Sequence, residues 1–298
     1  MTRSDSKRLR GVFAAALTPM MGDLTPDLEG TLAHYRWLLA EGCDGIVSLG
    51  TTGEANSFSL IERLAMIEAL GISGLAEKCI VGTGCCAVPD TVELTKAAID
   101  AGAAGVLVLP PFYYKGIGEE GLYAAYARTI EEIGDARLKL YLYHFPRMTT
   151  LEIGHGLIRR LLNSFPGVVV GLKDSSGRGP EMESMIRNFP GFDVFAGTEE
   201  LLLANLRAGG AGTMTATANL LAREAAELAA KWQTPGADAL QQRVATLRQT
   251  ITAYPGIPAL KALTARRTGK EAWRNIRPPL LPLSADELEV LSGALDTL

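Results

Sequence analysis

The sequence contains no long hydrophobic run. No stretch of about 18 apolar residues appears, which argues against a membrane-spanning helix. Cysteine is scarce, with four residues at positions 43, 79, 85 and 86 and no CxxC pair. That argues against a disulfide framework or a zinc site, and the expected role is as small buried apolar residues. Histidine is scarcer still: His34, His144 and His155 are scattered, without HxH or HxxxH spacing, so no metal centre is expected. Neither sign of charge dominates. The 29 Lys+Arg and 33 Asp+Glu leave a net −4, with no acidic or basic tail, which argues against a non-specific nucleic-acid binder. The N-terminal stretch Met1–Arg10 is polar and too short for a signal peptide. The expectation is a soluble, cytoplasmic protein with no nucleic-acid or membrane partner.

What is present is a repeat. Short β-rich runs ending in Gly, Thr, Ser or Pro alternate with helical stretches. The runs are Gly11–Met20, Asp44–Thr51, Cys79–Cys85, Ala104–Pro110, Leu138–Pro146, Val168–Ser175, Phe192–Gly197 and Ala211–Asn219. The helical stretches between them run from Asp27–Glu41 to Ala222–Trp232. Runs such as Gly45–Leu49 and Gly105–Leu109 are apolar nearly throughout, as expected of parallel strands covered on both faces. Eight βα units in roughly 230 residues predict an α/β fold, a (β/α)8 TIM barrel. A doubly wound open sheet fits eight near-equal units less well. Ala237–Ala253, Ile257–Thr268 and Ser284–Leu295 read as three further helices, with Pro278, Pro279 and Pro282 breaking the chain before the last. This divides the chain into a catalytic barrel at 1–233 and C-terminal helices packed on it at 234–298.

In such a barrel the site lies at the C-terminal ends of the strands. Lys173 ends the apolar run Val168–Leu172, and most of the other lysines fall in helices or loops. An ammonium is costly to bury, and burial favours a neutral amine, which attacks a ketone to form a Schiff base. The alternative is a lysine paired with neighbouring Asp174. Gly171 and Gly177 leave space nearby, which favours the chemical role. Imine chemistry needs a proton shuttle, and Tyr143 ends the adjacent strand. His144 then faces the helices and is structural, because successive strand residues face opposite sides. Gly50-Thr51-Thr52-Gly53-Glu54 offers two hydroxyls and backbone N–H groups to a carboxylate, although alone it reads equally as an ordinary turn. Opposite a Schiff-base lysine it predicts a small-molecule 2-oxo acid. The imine is itself the electron sink, so no cofactor is expected.

With Gly82-Thr83-Gly84, Pro111-Phe112-Tyr113-Tyr114, Tyr143-His144-Phe145-Pro146, Gly171–Gly177 and Gly209–Asn219, these elements give an order and spacing that resembles the dihydrodipicolinate synthase/N-acetylneuraminate lyase family of class I pyruvate-dependent aldolases. The resemblance runs from Gly11 to about Trp232, with the trailing helices also expected. It implies Lys173 as the Schiff-base lysine, Tyr143 as the proton relay, and Thr51 and Thr52 as carboxylate holders. It implies that Tyr113 or Tyr114 reaches a partner subunit's site in a homotetramer, a dimer of dimers. It also places Met214, Met148 and Glu199 at the substrate. One departure matters. The synthases carry Tyr-Asn-x-Pro-x-Arg-Thr after strand 5, the Arg gripping the second substrate's carboxylate. Here Arg147 comes one position early and Met148 stands at the Arg position. In extended backbone Arg147 would point away from it. Glu199 and Glu200 fall where lyases of the family bind substrate hydroxyls; the alternative is acids favoured by a helix N-terminus.

These readings give a Schiff-base lyase or aldolase acting on pyruvate or a related 2-oxo acid, with dehydration of a 2-oxo-3-deoxy sugar acid inside the same chemistry. The alternatives are a true synthase condensing pyruvate with aspartate semialdehyde, and a non-catalytic 2-oxo acid sensor. A phosphate-sugar barrel lacks a Gly-rich phosphate loop after strands 7 and 8.

Overall fold

Eight short strands close on themselves in chain order, all parallel: β1 Gly11–Ala15, β2 Gly45–Ser48, β3 Cys79–Gly82, β4 Gly105–Val108, β5 Leu140–His144, β6 Val169–Asp174, β7 Asp193–Ala196 and β8 Gly212–Thr215. The computed structural model describes residues 8–298; the polar stretch Met1–Arg10 lies outside the described residues as far as Lys7. Closure occurs where β1 meets β8. Gly212 has φ 120°, and a Cβ there would lie 2.1 Å from the carbonyl oxygen of Gly11, so only glycine fits.

Both faces of each strand are buried, which explains the near-continuous apolar runs. Phe13, Val47, Ile80, Leu107, Tyr141, Tyr143, Phe195 and Met214 fill the barrel. Alternating residues such as Val12, Ile46, Val81 and Leu172 meet the surrounding helices. Those helices are α1 Leu28–Ala40, α2 Leu60–Ile72, α3 Val88–Asp100, α4 Glu119–Ile133, α5 Pro146–Thr149, α6 His155–Ser164, α7 Gly179–Asn188, α8 Leu202–Arg207 and α9 Ala218–Lys231. Local signals set their starts: Asp27 caps α1, and Ser59 with Glu62 forms a capping box on α2. After the barrel come α10 Ala237–Thr252, α11 Gly256–Thr268 and α12 Ala285–Asp296. Leu247, Ile251, Leu260, Leu263, Trp273 and Leu291 pack together with Leu17 after β1 and Leu221 of α9. No helix among the described residues is long and apolar enough to cross a membrane.

Three expectations are corrected. First, β3 stops at Gly82 rather than Cys85, because the chain leaves the barrel rim there. Cys43 and Cys79 are buried as expected, and burial pushes both thiols up to about 12. Cys85 is only partly covered and Cys86 is exposed on the loop before α3. Second, Gly171 does not make space for a substrate. A Cβ there would meet the Asp193 carbonyl oxygen at 2.4 Å and the Tyr141 ring at 2.6 Å, so the glycine accommodates core packing. Third, Pro146–Thr149 is a helical turn, not extended chain. Successive side chains are therefore about 100° apart instead of opposed. Arg147 and Met148 are both exposed, Met148 at 58%.

Candidate active site

The pairing of β5 with β6 sets Tyr143 beside Lys173 and His144 beside Asp174. Alternation then sorts these four residues. Tyr143 belongs to the barrel-filling cluster, and Lys173, beside it, projects to the same side. The Lys173 Nζ lies 4.4 Å from the centre of the Tyr143 ring, and Phe145 stacks on that ring at 5.6 Å. Lys173 is 5% exposed, and no carboxylate among the described residues pairs with it. The Tyr143 hydroxyl lies 3.5 Å from Thr51 Oγ1, the long end of hydrogen-bond range. Thr51 and Tyr143 line one cleft with Gly50, Asn56, Gly84 and Leu109.

Asp174, the competing partner for Lys173, is engaged on the other side of the sheet. Its carboxylate lies 3.0 Å from His144 Nδ1 and accepts from the Ser176 amide at 3.0 Å. His144 Nε2 lies 2.9 Å from Glu152, which accepts from Arg178 at 2.6 Å. Burial draws the His144 pKa down, but the hydrogen bonds to Asp174 and Glu152 outweigh it, and the net direction is upward. A doubly protonated ring satisfies both carboxylates. His144 is thus a strut between β5, β6 and the segment before α6, as its place in the strand predicts.

The Gly50–Glu54 segment turns sharply at the end of β2. The Glu54 amide donates to the Thr51 carbonyl at 3.1 Å, and Thr18 Oγ1 donates to the Gly53 carbonyl at 3.0 Å. The amides of Thr51 and Thr52 make no backbone hydrogen bond among the described residues. Thr51 brings a hydroxyl and an amide to the cleft it shares with Tyr143, and Thr52, buried next to it in the same turn, carries a second pair of donors of the kind an anion takes. Among the described residues no group of three or more His, Cys, Asp or Glu is placed to hold a metal ion.

The other predicted site residues occupy several places in the fold. Met214 packs inside the barrel, fully buried opposite Phe13. Tyr113 and Tyr114, 72% and 70% exposed, stack edge to face on the β4–α4 loop. Lys115 ties that loop to α5, donating to the Phe112 carbonyl at 2.6 Å and the Thr149 carbonyl at 3.5 Å. Glu199 is not brought to Lys173 as a free acid. It is fully buried, accepts from Thr215, from Thr217 at 2.6 Å and from Arg248 at 2.8 Å. Glu200 is exposed and accepts from Gln249 at 2.6 Å. Both glutamates serve the joint between the β7 loop and α10. Arg248 lies far along the chain, so its claim on Glu199 left no mark near strand 7.

A family model described as the dihydrodipicolinate synthetase family matches residues 8–298. The chain belongs to this family. An uncharacterized DapA-like lyase of Chloroflexus aurantiacus is 36% identical over 96% of both chains. The crystal structure of dihydrodipicolinate synthase from Agrobacterium tumefaciens superposes with a TM-score of 0.90 at 30% identity, over 97% of this chain and 99% of that one. A chloride-inhibited dihydrodipicolinate synthase from Acinetobacter baumannii, solved with pyruvate, matches with a TM-score of 0.86 at 30% identity, over 97% and 98% of the two chains. Family membership supports a lyase. It does not name a substrate.

Proposed function

We propose that the protein is a Schiff-base lyase or aldolase acting on pyruvate or a related 2-oxo acid. The observation that carries this reading is a buried lysine without a carboxylate partner, seated over a tyrosine ring whose hydroxyl faces a threonine. The Lys173 amine attacks the ketone carbon. The carbinolamine loses water with a proton supplied through Tyr143, and the imine forms. Thr51 and Thr52 hold the substrate carboxylate, with Thr51 passing protons to and from Tyr143. The imine withdraws electrons from the neighbouring carbon, so aldol cleavage, condensation or dehydration proceeds without metal or organic cofactor. The pyruvate-bound relative supports pyruvate as the first substrate. The exposed Tyr113–Tyr114 pair suits a contact that crosses into a partner subunit, in a homotetramer built as a dimer of dimers. A panel of 2-oxo acids and aldehydes, followed by pyruvate release or consumption, tests the reading. No turnover and no pyruvate adduct across the panel would favour a sensor.

A second reading is favoured by the named synthase relatives: condensation of pyruvate with aspartate semialdehyde. Met148 weighs against it. A carboxylate leaving water needs a cationic or multi-donor partner, and a thioether is neither. The protein is expected to use aspartate semialdehyde with kcat/KM below about 10⁴ M⁻¹s⁻¹, short of the ordinary enzyme range. A hydrogen bond to a charged group contributes about 1.5–3 kcal/mol, so Met148→Arg should raise that value about ten- to a hundredfold. A wild-type value above this bound, abolished by Arg147→Ala, would assign the role to Arg147.

A further inference from the structure

Glu54 and Lys261 form an ion pair with both charges buried, at 3% and 1% exposure. Glu54 ends the loop that carries Thr51 and Thr52; Lys261 comes from α11, beyond the barrel. The backbone of Glu54 is left-handed, at φ 57° and ψ 30°, a region non-glycine residues seldom occupy, so its surroundings must hold it there. The surroundings are extensive. Lys261 Nζ also donates to the Asn275 carbonyl at 2.7 Å, and the Asn275 side chain donates to the Met20 and Met21 carbonyls at 3.0 Å each. Arg277 donates to the Ser57 carbonyl at 2.6 Å and the Leu24 carbonyl at 3.0 Å. The end of the chain therefore grips the loops that follow β1 and β2. Burial, opposed by Glu54, draws the Lys261 amine below its ordinary range.

Two apolar residues of similar volume would join α11 to this loop without desolvating two charges. What the ion pair adds is a fixed direction and distance. We infer that Glu54 and Lys261 are a positioning pair through which α11 sets the Thr51–Thr52 donors against the substrate carboxylate. This rests on the proposed 2-oxo acid reading and assigns the C-terminal helices a part in pyruvate binding.

The test is pyruvate-dependent trapping by borohydride, read by mass spectrometry over a pyruvate titration. Lys261→Met is expected to raise half-saturating pyruvate by about tenfold or more, since displacement of a substrate-positioning group by about 1 Å can cost a hundredfold. The maximal extent of trapping should be unchanged, because Lys173 and Tyr143 are untouched. Lys261→Met leaves Glu54 unpaired and can lower stability, so Glu54→Gln/Lys261→Met, which buries no lone charge, separates the two effects. The double variant should melt near wild type yet keep the raised half-saturation. Lys261→Arg should restore most of the affinity. Arg266→Ala, which removes an exposed ion pair with Asp296 on the same helix, should change nothing. A double variant that traps with wild-type half-saturation overturns the inference and leaves the Schiff-base reading standing. A wild type that yields no adduct overturns both.

Discussion

Lys173→Ala is expected to lower turnover by about 10⁴-fold or more with every 2-oxo acid the wild type accepts, as loss of a nucleophile does elsewhere. No neighbouring group can take over. Asp174 faces the other side of the sheet in its contact with His144, and Lys115 is engaged by the carbonyl oxygens of Phe112 and Thr149. Lys173→Arg should be equally inactive, since a guanidinium keeps the charge but forms no imine. The fold should survive both. Breaking a buried ion pair is damaging chiefly because it strands the partner charge, and Lys173 has no carboxylate to strand. Circular dichroism and melting near wild type, with activity lost, is the expected pattern. An alanine variant within about tenfold of wild type would remove imine formation at Lys173 from the mechanism.

Tyr143→Phe carries the next largest effect, a loss of about 10²–10⁴-fold in kcat. The substitution deletes one hydroxyl whose side-chain contact is Thr51 at 3.5 Å, and it keeps the ring that Phe145 stacks on and Lys173 lies over. Packing is therefore preserved, and the loss reports proton movement alone. If Tyr143 and Thr51 act as one relay, Tyr143→Phe/Thr51→Val should be little worse than Tyr143→Phe, because linked groups are not additive. Full additivity would separate Tyr143 from Thr51, and a Tyr143→Phe variant within about threefold of wild type would remove the tyrosine from the chemistry.

The barrel was legible because its signal is periodic. Apolar strands and amphipathic helices recur eight times, and the site follows from asking what ends each strand. That question points to Lys173, Tyr143 and the Thr51 turn, and strand alternation accounts for Lys173 and Tyr143 sharing a face, as neighbours on paired strands do. The readings that needed correction depend on partners distant in sequence or on local backbone. Glu199 reads as a loop acid until Arg248 of α10 is seen beside it. Gly171 reads as open space until the Tyr141 ring fills it. Arg147 and Met148 read as opposed residues until Pro146 is found to start a helical turn, as proline at a first helical position can. Lys261 has no strand position to mark it, and only the fold carries it to Glu54.

The central claim is a covalent bond between Lys173 and the ketone carbon of a 2-oxo acid. Incubation with pyruvate and borohydride, then digestion and peptide sequencing by mass spectrometry, tests it most directly. The expected result is a single reduced pyruvate adduct on the peptide containing Lys173, absent without pyruvate and absent from Lys173→Ala. An unmodified wild type under conditions of measurable turnover, or an adduct that persists in Lys173→Ala, would contradict it.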